Sequence, residues 1–235
     1  VAADEEAADL VAAAPDVGVL ESWVSRREDG EPLAWILGSI AFGDVEVHVD
    51  AGVYVPRAQS LGLAVRASGR VPSGGRLVDL CTGSGAIACW VSTSRPDVVI
   101  AASDVDRRAV DCAVRNGVDA VVGDLDAPFA TAAFDVATAV APYVPSDELA
   151  FLPRDVTRFE PRRALDGGTD GLGIVTRVVG GAARLLRPGG WLLLELGDDQ
   201  DVRLAPVLAA HGFELVARWR DDDGDLRGVE ARRRG

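Results

Sequence analysis

The apolar run Leu77-Val78-Asp79-Leu80 passes into Cys81-Thr82-Gly83-Ser84-Gly85 and then into the helix-forming Ala86-Ile87-Ala88. This juncture constrains the fold most, because a short buried strand feeding a glycine turn and a helix is a unit of a parallel α/β sheet. Gly83 and Gly85 lack a Cβ, so the chain can turn sharply and bring backbone N–H groups against a ligand at the helix N-terminus. The spacing Gly83-x-Gly85-x-x-Ala88 also fits the dinucleotide fingerprint, so the loop alone does not choose among adenosine cofactors. Asp79 tips the choice. A carboxylate at the strand's end would hold a cationic amino group and repel a pyrophosphate, and S-adenosylmethionine carries such a cation. A tight turn without a ligand is the alternative.

A second acid points the same way. Val98 to Ala102 is an apolar run suited to a buried parallel strand, and it ends at Ser103-Asp104. Asp104 lies about twenty residues past the glycines, where an acid on the next strand meets ribose hydroxyls. The segment Asp106 to Asn116 reads as a helix with Asp106 as its N-cap.

From Arg76 onward, strands and helices alternate as a parallel sheet with right-handed crossovers requires. Strands are expected at Arg76 to Leu80, Val98 to Ala102, Ala120 to Val122, Phe134 to Val140 and Trp191 to Leu196. Helices are expected at Ala86 to Thr93, Arg107 to Asn116, Ile174 to Leu186 and Asp201 to His211. Phe213 to Trp219 and Leu226 to Ala231 form a terminal antiparallel hairpin across the acidic turn Asp221 to Asp225. Before the sheet, Asp4 to Ala14 and Leu20 to Arg27 read as helices. Val45, Val47 and Val49 alternate with polar residues, and Val53 to Val55 follows Gly52, which suggests a small hairpin over the ligand-binding edge. The expected organisation is a short N-terminal helical segment (1–40), a hairpin with a connecting helix (41–70) and a cofactor-binding domain (71–235).

Composition limits the partners. The 235 residues carry a net charge of −13, which argues against extended nucleic-acid binding. No apolar run approaches a membrane span, and the acidic start Val1 to Ala14 does not resemble a signal peptide, so a cytoplasmic protein is expected. Cys81, Cys89 and Cys112 lack metal-ligand spacing and sit in apolar contexts, so they read as reduced packing residues and no metal is expected.

Most of the chain resembles the HemK/PrmC-like class I methyltransferases, whose best-known members methylate a protein glutamine side chain. The resemblance runs through Glu31-Pro32-Leu33-Ala34-Trp35-Ile36-Leu37-Gly38, Val55-Pro56-Arg57, Asp79-Leu80-Cys81-Thr82-Gly83-Ser84-Gly85, Asp104 and Asn116. It continues through Glu160-Pro161, Ala164 to Leu172, Glu195-Leu196-Gly197 and Gln200. It implies a seven-stranded, Rossmann-like α/β sheet with S-adenosyl-L-methionine as cofactor and S-adenosyl-L-homocysteine as product. Asp79 and the loop Cys81, Thr82, Gly83 and Gly85 would lie near the methionine part. Asp104, with Val105, would lie at the ribose, and Gly123-Asp124-Leu125 near the adenine. For Asp124 an exposed turn acid is the alternative.

The family pattern at the end of the fourth strand is Asn-Pro-Pro-Tyr, whereas this chain has Val140-Ala141-Pro142-Tyr143. An amide nitrogen is a poor nucleophile because its lone pair is delocalised, so the family uses the asparagine and nearby backbone carbonyls to aim the NH₂ at the sulfonium methyl. Val140 cannot accept those hydrogen bonds, and an unpaired buried donor costs on the order of 1–3 kcal/mol besides the lost orientation. Pro142 and Tyr143 still supply a rigid turn and an aromatic wall; for Tyr143, ordinary packing is the alternative to substrate contact. The acids the family commonly carries after Val55-Pro56-Arg57 are Ala58-Gln59-Ser60-Leu61 here. Arg57 is therefore either free for a substrate group or ion-paired elsewhere. The short N-terminal region counts against binding of a translation release factor.

These residues together point to an S-adenosylmethionine-dependent enzyme on a HemK-like scaffold, repurposed for a small-molecule substrate held by Arg57, Val140, Pro142 and Tyr143. The alternatives are protein-glutamine methylation, ring closure that expels S-adenosylhomocysteine from a cofactor–substrate adduct, a nicotinamide oxidoreductase, and a silent cofactor-binding protein.

Overall fold

A computed structural model describes residues 2–235. The chain opens with helices α1 (Ala2–Ala13), α2 (Val17–Glu28) and α3 (Leu33–Leu37). Asp16 caps α2 by accepting the N–H of Val19, one of the donors a helix start leaves without a partner. Helix α3, which the sequence reading did not separate, ends at Gly38 in the left-handed conformation.

Strands β1 (Ser39–Phe42) and β2 (Val45–His48) form the hairpin. It differs from the expected pairing with Val53 to Val55. Strand β2 folds back on the residues before it, with Phe42 opposite Val45, because Gly43 takes φ 62° in the intervening tight turn. Gly52, at φ 84°, turns the chain away, and Val53 and Val55 are buried as packing residues outside any strand.

Helix α4 (Leu61–Arg70) leads into the alternation β3 (Arg76–Leu80), α5 (Ala86–Ser94), β4 (Val99–Asp104), α6 (Arg107–Arg115), β5 (Ala120–Val122) and β6 (Phe134–Ala139). There follow α7 (Arg154–Phe159), α8 (Gly173–Leu185), β7 (Leu186–Glu195), α9 (Gln200–Ala210), β8 (Phe213–Arg220) and β9 (Leu226–Arg233). The expected strands and helices are all present, with shifted ends. The largest shift is in β7, which starts at Leu186 rather than Trp191. Phe134 faces Leu186 and Val136 faces Trp191, so Arg187 to Gly190 bulge out of the ladder between those pairs.

The strands form one seven-stranded sheet in the order β5-β4-β3-β6-β7-β9-β8. Strands β3 to β7 pair in parallel, and β9 and β8 complete the edge antiparallel. One face carries Val78, Leu80, Ala137, Ala139, Leu192 and Leu194 against Val175, Val178, Val179, Ala182 and Leu185, the helical-period stripe of α8. The other carries Leu77, Val136 and Leu193 against Leu63, Ala64 and Ala67 of α4, Ile87 and Val91 of α5, and the hairpin. No helix among the described residues is long and apolar enough to cross a membrane.

Candidate active site

Strand β3 lies between β4 and β6, so crossovers leave it in opposite directions and open a crevice at its carboxyl end. Leu80 and Ala139 are register partners at the ends of β3 and β6. The next residues, Cys81 and Val140, therefore enter the crevice side by side. Cys81 is left-handed at φ 56°, a conformation that disfavours a residue with a Cβ by roughly 1–2 kcal/mol. Gly85 meets a tighter restriction, because a Cβ there would stand 3.0 Å from Ala113 of α6 and from Val118. Gly85 thus serves the close approach of the loop to α6 and the start of α5, of which it is the N-cap.

Two buried acids dominate the crevice. Asp79 and Thr138 are cross-strand partners on one face of the sheet, and Asp79 is 1% exposed. Its Oδ2 accepts from Thr82 Oγ1 at 2.6 Å and its Oδ1 from Thr138 Oγ1 at 2.7 Å. Burial nevertheless outweighs these bonds and pushes the Asp79 carboxyl up to about 6, with the nearby Asp104 adding to the rise. Asp104 accepts the N–H of Gly83 at 2.9 Å and of Asp106 at 2.9 Å, and burial raises its pKa as well. A crevice with two desolvated carboxyls from the adjacent strands β3 and β4, both bonded to the glycine loop, favours a cation. Asp106 is the N-cap of α6, as its position in the sequence suggests, and accepts from Arg108 N–H.

Three adjoining cavities converge at this point. The first, of about 240 Å³, is lined by Cys81, Gly83, Asp104, Val105, Gly123, Asp124, Leu125, Val140 and Pro142. Asp124 sits at its rim, 57% exposed and ion-paired with Arg177 at 2.6 Å, so it both borders the cavity and is an exposed turn acid. The second, of about 40 Å³, lies beneath the glycine loop against Asp79 and Thr82. The third, of about 390 Å³, is walled by Arg57, Gln59, Ala141, Tyr143, Leu152 and Pro153, among others. Tyr54 and Val140 line all three.

The third cavity's polar groups are largely committed to one another. Arg57 is held by Glu160 at 2.5 Å, which resolves its sequence alternatives toward an ion pair, although 31% of its side chain stays exposed. Glu160, 1% exposed, also accepts the N–H of Val55 at 3.3 Å; its desolvation raises its pKa against the pull of the guanidinium. The guanidinium lies over the Tyr54 ring, 4.9 Å from its centre. Tyr143 donates its phenol to Glu195 at 3.0 Å, and Gln59 reaches the same oxygen at 3.4 Å. Gln200 donates to the Tyr143 carbonyl at 2.8 Å and accepts the N–H of Gly197. Burial pushes the phenols of Tyr54 and Tyr143 far above their ordinary range, so both stay neutral. Val140 contributes only methyl groups.

A family model for the methyltransferase small domain matches residues 45–140. The chain is 32% identical to the release factor glutamine methyltransferase of Thermodesulfovibrio yellowstonii over 87% of its own length and 77% of that protein. With the enzymes of the same name from Gloeobacter violaceus and Mycobacterium leprae, identity is 38% and 36%, over 80% and 90% of this chain and 69% and 77% of theirs. The chain belongs to the release factor glutamine methyltransferase (HemK/PrmC) family. It is a class I methyltransferase that uses S-adenosylmethionine. Among solved structures the fold resembles the ribosomal protein L11 methylase of Lactobacillus delbrueckii subsp. bulgaricus (TM-score 0.57, 16% identity, 80% of this chain and 86% of that one). It also resembles the Thermus thermophilus 16S rRNA N2 G1207 methyltransferase complexed with AdoMet and guanosine (TM-score 0.56, 18% identity, 84% and 44%).

In this HemK/PrmC-family chain the sequence-selected residues all gather at the crevice, with Gly85 supporting the loop from behind. Sequence reasoning gave no role to Tyr54, Ser60, Glu160 or Glu195. Tyr54 lies three residues before Arg57, and Glu160 and Glu195 belong to segments that carry the family resemblance, which is the signal that could have found them. Asn116 staples the assembly: it accepts the N–H of His48 at 2.8 Å and donates to the carbonyls of His48 and Ser84, each at 2.8 Å. Away from the crevice, His48, Asp50 and Cys112 bring possible ligand atoms within 4.8 Å of one another, a grouping that cysteine spacing does not reveal. Arg115 already pairs with Asp50 there.

Proposed function

We propose that this chain transfers the methyl group of S-adenosylmethionine to a side-chain amide nitrogen of a protein, with glutamine, the residue in its relatives' names, as the acceptor. The observation that carries the reading is the meeting of the loop-side cavities with a larger, open cavity at Tyr54 and Val140. A chain segment entering the open cavity would pass Leu152 and Pro153, beside Phe151, which is 85% exposed. An exposed aromatic next to a side-chain-sized cavity suits a protein acceptor.

The two desolvated acids fit the cofactor's positive charge. In this reading Asp79 faces the ammonium of the methionine part, Cys81, Thr82, Gly83 and Gly85 form its cradle, and Asp104 with Val105 meets the ribose. Gly123, Asp124 and Leu125 border the adenine. The bound cofactor supplies an electrophilic methyl group on a sulfonium sulfur. Tyr143, held at its phenol by Glu195 and at its carbonyl by Gln200, and Pro142 wall the acceptor and keep water from the transfer line. Arg57 presents its solvent-facing donors to the acceptor's carbonyl side while Glu160 fixes the guanidinium.

Val140 favours a second reading, the small-molecule acceptor expected from the sequence. A phenol, amine or stabilised carbanion needs no asparagine to aim it. Incubation with S-adenosylmethionine labelled in its methyl group, a glutamine-containing release-factor peptide and a small-molecule extract of the producing organism separates the two. Label on the glutamine, as a mass gain of one CH₂, supports the protein reading. Label confined to the small-molecule fraction refutes it.

A further inference from the structure

Among the described residues, His48, Asp50 and Cys112 are the one group of three or more metal-ligating side chains that lies together, with a ligand atom of each within 4.8 Å of the others. They come from two parts of the fold: His48 ends β2, Asp50 follows it, and Cys112 sits on the buried face of α6. Each is held in place by its neighbours. Asn116 accepts the N–H of His48 and donates to its carbonyl, both at 2.8 Å, and the Cys112 thiol donates to the same carbonyl at 3.3 Å. His48 Nε2 stands 3.0 Å from Asp50 Oδ1, while Arg115 takes the other carboxylate oxygen, Oδ2. Cys112 is fully buried, whereas 40% of the His48 side chain and 26% of that of Asp50 stay exposed. The group is therefore closed on its sulfur side and open to solvent on its nitrogen and oxygen side, which gives an ion a way in.

A thiol, an imidazole and a carboxylate form a donor set suited to zinc, whose four-coordinate sites combine sulfur, nitrogen and oxygen ligands at about 2.0–2.3 Å. Such bonds put neighbouring ligand atoms about 3.5 Å apart. That lies between the 3.0 Å separating His48 from Asp50 and the 4.8 Å that bounds the group, so side-chain rotation suffices to close the set. We propose that His48 Nε2, Asp50 Oδ1 and the Cys112 sulfur bind one zinc ion, with water in the fourth position. On binding, the thiol proton leaves to solvent and the imidazole keeps its proton at Nδ1. The thiolate and the carboxylate balance the two charges of the ion, and the Arg115 guanidinium beside them opposes its entry. The expectation of no metal rests on the spacing of the cysteines, which says nothing of a site that uses a single one. The ion clamps the end of the hairpin to α6. Ala113 of that helix packs close to Gly85, and its C-cap Asn116 donates to the Ser84 carbonyl, so the clamp braces the glycine loop from behind whatever the acceptor is.

In the test, the whole chain is stripped of metal by a chelator and titrated with zinc, and with cobalt(II) as a spectroscopic substitute. One equivalent of zinc should bind by calorimetry, the melting temperature should rise with zinc concentration, and the cobalt form should show a thiolate-to-metal charge-transfer band. His48→Gln and Cys112→Ser should each weaken zinc binding about tenfold or more, since loss of even an outer partner of a metal ligand costs that much. Cys112→Ser should also abolish the cobalt band although Cys81 and Cys89 remain. Arg115→Gln, which removes the opposing charge, should tighten binding severalfold, and His211→Gln, at the chain's other histidine, should leave it unchanged. If Cys112→Ser does not fold, His48→Gln, at a partly exposed position, decides with the wild-type cobalt spectrum. Failure to saturate at one equivalent, a cobalt spectrum without the thiolate band, or equal affinity in the wild type and His48→Gln would overturn the site.

Discussion

Val140→Asn is the substitution that bears most directly on acceptor chemistry. Val140 follows β6 into the crevice and lines both the loop-side cavities and the larger cavity walled by Arg57 and Tyr143. No neighbouring side chain stands in for a missing amide there: the Tyr143 phenol and Gln59 are turned to Glu195, and Arg57 is held by Glu160. In the proposed glutamine reaction of the wild type, Arg57 reaches only the carbonyl side of the acceptor amide, and no side chain accepts from its NH₂. An asparagine would add two hydrogen bonds of about 1 kcal/mol each, and about 2 kcal/mol off a barrier is roughly a 30-fold faster reaction. Replacing the half-buried isopropyl group should lower stability by about 1 kcal/mol, or roughly 2–4 °C in melting temperature for a chain of this size. The assay is single-turnover methylation of a glutamine peptide, read by mass, with S-adenosylhomocysteine affinity and melting temperature measured on the same samples. Faster glutamine methylation at unchanged cofactor affinity is expected. If both proteins fold, bind the cofactor equally and methylate glutamine at the same rate, residue 140 does not govern amide orientation.

Two further outcomes are expected. Burial raises the folded-state pKa of Asp79 to about 6 from an ordinary value of 3.8, so the folded protein binds the extra proton between those values. Stability of the free protein should therefore fall as pH rises from about 4 to about 6, by on the order of 3 kcal/mol, and Asp79→Asn should flatten that dependence. Affinity for S-adenosylhomocysteine should run the opposite way, rising to a plateau above about pH 6 as the ionised carboxylate meets the ligand's ammonium; calorimetry across this range checks the sign, and a flat profile contradicts it. Arg57→Ala would strip the cation from Glu160, whose side chain is 1% exposed, at a cost of about 3 kcal/mol. Adding Glu160→Gln should restore the melting temperature but not the turnover; recovery of turnover as well would reduce Arg57 to a purely structural ion pair.

The sheet was legible because its determinants are local. A buried parallel strand is mostly apolar on both faces, as Leu77, Val78 and Leu80 and Phe134, Val136, Ala137 and Ala139 are. The glycine loop declares itself through positions where a Cβ collides, as at Gly85. The hairpin was misread for an equally local reason: Val45, Val47 and Val49 give the strand but not its partner, and the partner was chosen by Gly43 rather than Gly52. Strand β7 was read short because Gly189-Gly190 looks like a boundary, whereas the ladder resumes across the bulge.

The sequence by itself determined the α/β class, the family, and the crevice residues whose spacing is constrained along the chain: Asp79, Gly83, Gly85 and Asp104. Only the tertiary structure decided that Arg57 is held by Glu160, that Tyr143 is fixed by Glu195, that Ser60 is left without a partner, and that Val140 stands where the cavities meet. These are contacts between residues 52 and 103 positions apart, or the absence of one. The pattern of a single segment cannot encode them, because they arise when the sheet order brings separate strand ends and loops to one edge.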